Sequence, residues 1–294
     1  MRKWNETLAK LTKLAGNEAC IAYDACPLNG LLLNIDGYSM RRSILPWMSY
    51  REWAYKATIA SMSDVIVSGG KPMAILYSVG CREESSLIEV AKGVGEASSY
   101  LGSQVLKGDA NKAEVEPWID VASVGSVYKK IVCRKGAKEG DVLLQVGYLG
   151  YGTLSEKIMR GEVRDVEEKA LEKTKRPRLE VMAYKPISLF ATSSSDNSDG
   201  WVSTLYNIID SSNVKVELER VVVDPDLVEY VKEEEAIKSW EDYSFAVTVS
   251  PEGFEGFMKE CKALGIACFP VGRVSKGYGL YYKGVPVKDE GWSW

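Results

Sequence analysis

The sequence predicts an α+β or mixed α/β fold made of two domains that meet near residue 130. Helical patterns alternate with short apolar strand patterns along the chain. A polar, glycine-containing segment, 132–141, separates two such series. The 294 residues suffice for two domains, which we place at residues 1–130 and 131–294. The content of 46% hydrophobic and 27% charged residues is typical of a globular protein.

The first series begins with apolar residues at helical spacing, followed by Gly16, which predict a helix over residues 3–15. The apolar run 31–35 then predicts a buried strand that ends at Asp36. The series continues with a helix over 50–68, a strand over 73–79, a helix over 85–101, a strand from 104 that ends at Asp109, and a strand over 119–128.

The second series begins with a strand over 142–146 and a glycine-rich loop that leads into a helix near 154–159. The highly charged segment 161–177 is typical of a solvated helix face. The series continues with a helix around 178–190, a turn at 193–200, a helix over 201–209, strands near 214–223 and 244–249, a helix over 252–264, and C-terminal strands.

Composition excludes several kinds of chemistry. The chain has no histidine, so histidine-based triads and histidine-ligated zinc are ruled out. Its six cysteines form no CxxC pair, which argues for free thiols and against an iron–sulfur cluster. A net charge of -4 predicts no nucleic-acid partner. No apolar run is long enough to span a membrane and the N-terminus does not resemble a signal peptide, so we expect a cytoplasmic protein.

Six aspartates stand out by their positions. Five lie at the predicted ends of apolar strands or beside glycine, and the sixth lies inside an apolar helix, where a carboxylate is costly to bury unless it is paired or binds a metal. These residues are Asp24, Asp36, Asp109, Asp196, Asp199 and, within the helix, Asp64. Carboxylate oxygens are the ligands that magnesium prefers. Each Asp-Gly pair taken alone is equally consistent with a simple turn.

Several short motifs occur in the same order as in a known family. They are Tyr23–Cys26, Asn34–Asp36, Lys56–Ala57 with Ser63–Asp64 and Ser68–Pro72, Lys107–Lys112, Arg134–Asp141, Asp196–Gly200 and Glu241–Tyr243. The chain therefore resembles thiamine-monophosphate kinase. That family belongs to the superfamily of aminoimidazole ribonucleotide synthetase, selenophosphate synthetase and the hydrogenase-maturation protein HypE. The last two motifs match the kinase better than its relatives.

The resemblance implies a two-domain PurM-like fold whose N-terminal domains pair as a homodimer. It implies ATP-dependent phosphoryl transfer to thiamine monophosphate, with Mg²⁺ held by the six aspartates and a catalytic part for Asp64, Asp109 and Asp199. By the same resemblance, ATP would be bound by Asp24, Gly108, Asp109, Arg134 and Ser198, and the thiamine moiety by Glu241 and Trp292.

Some positions depart from the family pattern. Ala25 replaces an aspartate, Asn34 and Ile35 replace a Ser-Thr pair, and Ser43 stands where a histidine often binds substrate. Two alternatives to the kinase therefore remain: a related enzyme acting on another small phosphorylated metabolite, and a non-catalytic relative that keeps the fold.

Overall fold

A computed structural model describes residues 10–16, 18–20 and 22–289, and in it the strands form two sheets. Residues 10–15 are helical (α1), as expected for the described part of the predicted helix 3–15. The elements up to residue 130 are β1 (Cys26–Leu28), β2 (Leu31–Ser39), α2 (Met40–Ser43), α3 (Tyr50–Val67), β3 (Gly70–Cys81), α4 (Glu84–Tyr100), β4 (Gln104–Lys112) and β5 (Trp118–Val127).

The first sheet has the strand order β1-β2-β5-β3-β4, antiparallel except for the parallel pair of β3 and β4. One face of this sheet packs on α3 and α4. Strand β4 is an edge strand whose residues are all exposed. The opposite face carries exposed apolar surface at Ile35, and Leu106 at the register shift of β4 is exposed as well. This uncovered apolar face is unusual for a monomer.

The second sheet contains every later strand. The elements after residue 130 are β6 (Val142–Val146), α5 (Tyr151–Met159), α6 (Glu168–Lys175), α7 (Tyr184–Phe190), β7 (Ala191–Asp196), α8 (Trp201–Ser212), β8 (Lys215–Leu218), α9 (Glu233–Ala236), β9 (Phe245–Val249), α10 (Pro251–Leu264), β10 (Cys268–Ser275), β11 (Gly279–Tyr282) and β12 (Val285–Val287). The strand order is β12-β11-β8-β10-β6-β9-β7, with only β11 and β8 parallel.

Helix α3 lies between the two sheets. It begins with a capping box, in which Ser49 and Glu52 each bond the other's backbone N–H, and it ends at Ser68 before Gly69 takes a left-handed conformation. Most of its side chains are buried, and one apolar core runs from β2 through α3 to β6, β7 and β9. A helix buried on all sides has no apolar stripe. Among the described residues, no helix is both long and apolar enough to cross a membrane.

Several sequence-based expectations need correction. Strands β2 and β4 continue past Asp36 and Asp109, so these residues lie within strands, because the next residues keep pairing with β5 and β3. The expected turn at 193–200 begins with β7, whose small polar residues pair with β9. The expected helix around 178–190 is helical only from Val181, first as a short 3-10 turn. The expected free thiols are wrong for Cys20 and Cys26, which form a disulfide.

Candidate functional site

Three aspartates from distant parts of the chain meet at one point. Asp24 precedes β1, Asp64 lies in α3 and Asp196 ends β7. A carboxylate oxygen from each lies within 4.8 Å of the others. Arg134 pairs with Asp24, its Nε donating to Oδ1 at 2.7 Å, and Ser63 Oγ donates to Asp196 Oδ2 at 2.8 Å. The structure brings these three of the six predicted aspartates together, and their roles stay predictions.

Asp36 joins this group through Asn34. The Asn34 amide donates to Asp36 Oδ2 at 3.0 Å and to Asp64 Oδ2, and it also contacts the carbonyl oxygen of Ser61. An amide nitrogen between two carboxylates reduces their repulsion, because it offers both of them a hydrogen-bond donor. Ile35, the next residue, points to the other face of β2 and is 68% exposed. Its side chain is therefore remote from the site.

The carboxylates carry more negative charge than their neighbours neutralise. Burial, followed by the charge of Asp24, raises the pKa of Asp196 to about 8. Burial also raises the pKa of Asp36 to about 6, against hydrogen bonds from Asp64 and Asn34, with a further upward effect of Asp199. The pKa of Asp64 is well above its ordinary value, first through burial and then through Asp196 and Asp36. A divalent cation would relieve this repulsion, and an all-oxygen donor set fits magnesium.

We call Asp24, Asp36, Asp64 and Asp196 the aspartate cluster. Two loops of the second sheet lie side by side next to it. The first loop, 197–200, carries Ser198 and the exposed Asp199, and the second, 239–244, carries Glu241. They are joined by the backbone bonds from Glu241 N to Ser198 O at 2.9 Å and from Tyr243 N to Asn197 O at 3.0 Å. Glu241 therefore lies beside the predicted ATP-binding Ser198.

Glu241 belongs to a second charged subsite. Its Oε2 contacts the ammonium of Lys56, a residue of α3 that is only 3% exposed, and Lys56 Nζ lies 5.6 Å from the centroid of the Trp240 ring. Tyr243, just beyond, shares a hydrogen bond of 3.0 Å with the hydroxyl of Tyr38. Burial and the charge of Glu241 raise the pKa of both tyrosines well above the ordinary value. Both hydroxyls therefore stay protonated.

Asp242 anchors the loop that carries Glu241. Its carboxylate accepts the backbone N–H groups of Gly150, Tyr151 and Gly152 at 3.1, 2.8 and 3.2 Å, which form the N-terminus of α5. The residue is 1% exposed. A carboxylate at a helix N-terminus receives both hydrogen bonds and the favourable end of the helix dipole. Asp242 thus holds the loop and its neighbour Glu241 in place.

Asp109 and Gly108 lie apart from the aspartate cluster within one chain. Strand β4 is separated from β2 by β5 and β3, which corresponds to about 14 Å between Asp109 and Asp36. The register places Asp109 in one row with Ser78, Asp120 and Gly37, so it points to the uncovered face of the sheet, opposite to Asp36. Trp292, the second predicted substrate residue, lies outside the described residues.

The departures from the family pattern have structural explanations. Ala25 is fully buried as part of the apolar core, and its N–H donates to Ser68 Oγ. Ser43 Oγ accepts a hydrogen bond from Trp53 Nε1 and donates one to the Ser39 carbonyl, both at 2.7 Å. The position at which the family often has a substrate-binding histidine is therefore engaged in a local contact with α3.

The sequence analysis gave no role in the site to several residues that shape it, namely Lys56, Asn34, Ser63, Tyr38 and Asp242. One signal was available for Lys56: it is a charged residue within the apolar helix pattern 50–68, as Asp64 is. Asn34, Ser63 and Asp242 lie within the motifs of the family resemblance, which pointed to their segments without giving these residues a role, and Tyr38 gave no signal.

Comparisons with known proteins identify relatives of this chain. Residues 17–127 match the family model described as AIR synthase related protein, N-terminal domain. The thiamine-monophosphate kinase of Pyrococcus horikoshii is 30% identical over 264 residues, which cover 86% of this chain and 81% of that protein. The thiamine-monophosphate kinase of Aquifex aeolicus is 29% identical over 280 residues, covering 89% and 87%.

Solved structures show the same similarity. The structure of AaThiL complexed with AMPPCP and TMP superposes with a TM-score of 0.85 at 26% identity, covering 99% of this chain and 98% of that one. A chain from the crystal structure of a HypE–HypF complex superposes with a TM-score of 0.75 at 19% identity, covering 94% of this chain and 95% of that one, which is a similarity of fold.

Proposed function

Because the chain belongs to the thiamine-monophosphate kinase family, we propose that it transfers the γ-phosphoryl group of ATP to thiamine monophosphate to give thiamine diphosphate. The observation that carries the proposal is the pairing of two subsites on one helix, the aspartate cluster at Asp64 and the charged subsite at Lys56 and Glu241. Lys56 and Asp64 are eight residues apart in α3, which is about 12 Å along the helix axis. An elongated acceptor with a ring at one end and a phosphate at the other would span both.

The aspartate cluster would hold the metal. Asp24, Asp64 and Asp196 would bind Mg²⁺ directly, with Asp36 and Asp199 at its margin. When bound, Mg²⁺ would neutralise phosphate charge during in-line transfer. Arg134, paired with Asp24, would orient the nucleotide phosphates, and Ser198 would contact them from the neighbouring loop. The acceptor phosphate is already anionic, so the reaction needs positioning rather than a strong base, and a chain with no histidine can supply that.

We propose that Asp109 acts across a homodimer. Ile35 points to the same face of the sheet as Asp109 and is 68% exposed, which supports pairing of this face with a second copy. A partner's Asp109 and Gly108 could then complete the site that one chain leaves open. Gly108 is also required by packing, since an added Cβ would lie 2.6 Å from the Tyr77 ring.

Mixing two inactive variants tests this arrangement. Asp64→Asn and Asp109→Asn chains, denatured and refolded together, should form mixed dimers with one intact site, giving about a quarter of wild-type activity in a statistical mixture. Each variant alone should be inactive. No recovery of activity in mixed dimers, identified by two different affinity tags, would show that Asp109 serves its own chain or no site at all.

We also propose that the domains divide near residue 130 and that the enzyme is cytoplasmic. The division is supported by the strands, because those before residue 130 form one sheet and those after it form the other. The location follows from substrates that are soluble metabolites.

The activity is tested by incubating the purified protein with ATP, Mg²⁺ and thiamine monophosphate, and measuring thiamine diphosphate and ADP. Equal amounts of both products are expected, with none when Mg²⁺ is removed or when Asp64→Asn is used. A panel of other phosphorylated metabolites, assayed by ADP release, tests whether the departures from the family pattern at Asn34 and Ser43 change the phosphoryl acceptor. If no thiamine diphosphate forms at high enzyme concentration but another compound stimulates ADP release, that compound, and not thiamine monophosphate, is the phosphoryl acceptor.

A further inference from the structure

Lys56 is a buried cation at the inner wall of the acceptor subsite. It lies in α3 between Tyr55 and Ala57, which are both buried, and is itself only 3% exposed. Its ammonium contacts Glu241 Oε2 and faces the Trp240 ring. With so little exposure, Lys56 lies behind Glu241 and is not placed to touch an acceptor in the cleft.

Glu241 is held in an unusual conformation. Its φ is 50°, in the left-handed region that side chains other than glycine rarely adopt. The backbone is fixed on one side by the bond to Ser198 O and on the other by the anchored Asp242. Oε2 is buried and receives no hydrogen bond from the described residues, so the ion pair with Lys56 is its compensation. A buried carboxylate with neither a cation nor donors would be costly.

We propose that Lys56 is a positioning residue that, through its ion pair, fixes the orientation of the Glu241 carboxylate at the acceptor site. This rests on the proposed function, because it concerns the same acceptor site. The Glu241 side chain is 16% exposed, so its carboxylate can accept hydrogen bonds from an acceptor that offers a cationic or N–H-donating ring.

Steady-state kinetics of Lys56→Met, Lys56→Arg, Glu241→Gln and the double variant Lys56→Met/Glu241→Gln test this role. Lys56→Met should raise KM for thiamine monophosphate about tenfold or more, with KM for ATP within about twofold of wild type. Lys56→Arg should restore most of the affinity, since it keeps the cation. The double variant should be no worse than the poorer single variant, because both changes remove one interaction.

A control at another ion pair separates this role from a loss of packing. Lys157→Met removes a lysine paired with Glu235, away from the cleft, and should leave both KM values unchanged. If Lys56→Met does not fold, the charge-neutral double variant and Lys56→Arg provide the comparison. Unchanged KM for thiamine monophosphate in every Lys56 variant, or equal losses for both substrates, would overturn the proposal. Failure of the proposed function is distinct, since the wild-type protein would then not use thiamine monophosphate at all.

Discussion

Replacing Asp242 by asparagine should detach the loop that carries Glu241 from helix α5. One carboxylate oxygen accepts from Tyr151 N and Gly152 N, and the other accepts from Gly150 N and from the Asn197 amide at 3.3 Å. An asparagine presents one oxygen and one NH₂ group, so in either orientation two of these donors face another donor. The substitution changes little in volume, which leaves hydrogen bonding and charge as the difference.

The magnitude follows from the number of donors left without an acceptor. Each buried unsatisfied donor costs about 1–3 kcal/mol, so two of them cost about 4 kcal/mol. The helix N-terminus favours the charge that is lost, but its burial disfavours it, so we add nothing for the charge. We expect a loss of about 4 kcal/mol in the free energy of unfolding, a large fraction of the total stability of a typical domain. The corresponding decrease in Tm is roughly 8–16 °C.

Thermal unfolding at pH 8 measures this effect. Burial raises the pKa of Asp242 to about 7, against the hydrogen bonds it accepts, so at pH 8 the ionised carboxylate is compared with a neutral amide. The matched control is Asp210→Asn, an exposed aspartate that accepts a hydrogen bond from Tyr278, and its Tm should stay within about 2 °C of wild type. A Tm for Asp242→Asn equal to that of the control would refute the anchoring argument.

Three further outcomes are expected. Because burial raises the pKa of Asp196 to about 8, the contribution of this carboxyl group to stability is complete below about pH 4 and is lost as pH rises towards 8. Between pH 6 and 8 the free energy of unfolding of the metal-free protein should therefore fall by about 2 kcal/mol, which lowers Tm by roughly 4–8 °C. Mg²⁺ should raise Tm more at pH 8 than at pH 6. A pH-independent Mg²⁺ effect on Tm would contradict this. Gly152→Ala should unfold the site or prevent folding, since its Cβ would lie 2.1 Å from Trp240 O. The control Gly95→Ala in α4, whose Cβ would meet nothing within 4 Å, should raise the free energy of unfolding by about 0.5–1 kcal/mol. Denaturant unfolding compares the two variants, and equal stabilities would count against the close contact. Asn34→Asp places a third carboxylate where an amide now donates to the carboxylates of Asp36 and Asp64. Calorimetry should then show tighter Mg²⁺ binding, and thermal unfolding without metal should show a lower Tm. Weaker Mg²⁺ binding with a higher Tm would show that the amide does not reduce repulsion between the two carboxylates.

Much of the fold could be predicted because its signals are local. Helix α3 has a capping box at one end and glycine at the other, so its bounds agree closely with the predicted 50–68. The strand patterns at 73–79, 119–128 and 142–146 likewise correspond to β3, β5 and β6. Strand β7 was missed because its residues are small and polar, and its pairing with β9 in the sheet determines its conformation.

The sequence by itself determined which chemistry was possible. The lack of histidine, the ordered aspartate motifs and the position of Asp64 inside an apolar helix all pointed to carboxylates and a divalent cation. Those conclusions depend on residue type and on spacing along the chain, which can be read without coordinates.

Only the tertiary structure decided which of those residues meet. Asp24 and Asp196 are 172 positions apart, and Lys56 and Glu241 are 185 apart, yet each pair belongs to one subsite. Asp109 has the same local signals as Asp36, but the strand register turns it to the opposite face of the sheet. The reason is that a shift of one residue along a strand reverses the direction of a side chain, while the partner strand that fixes the register lies far away in the sequence.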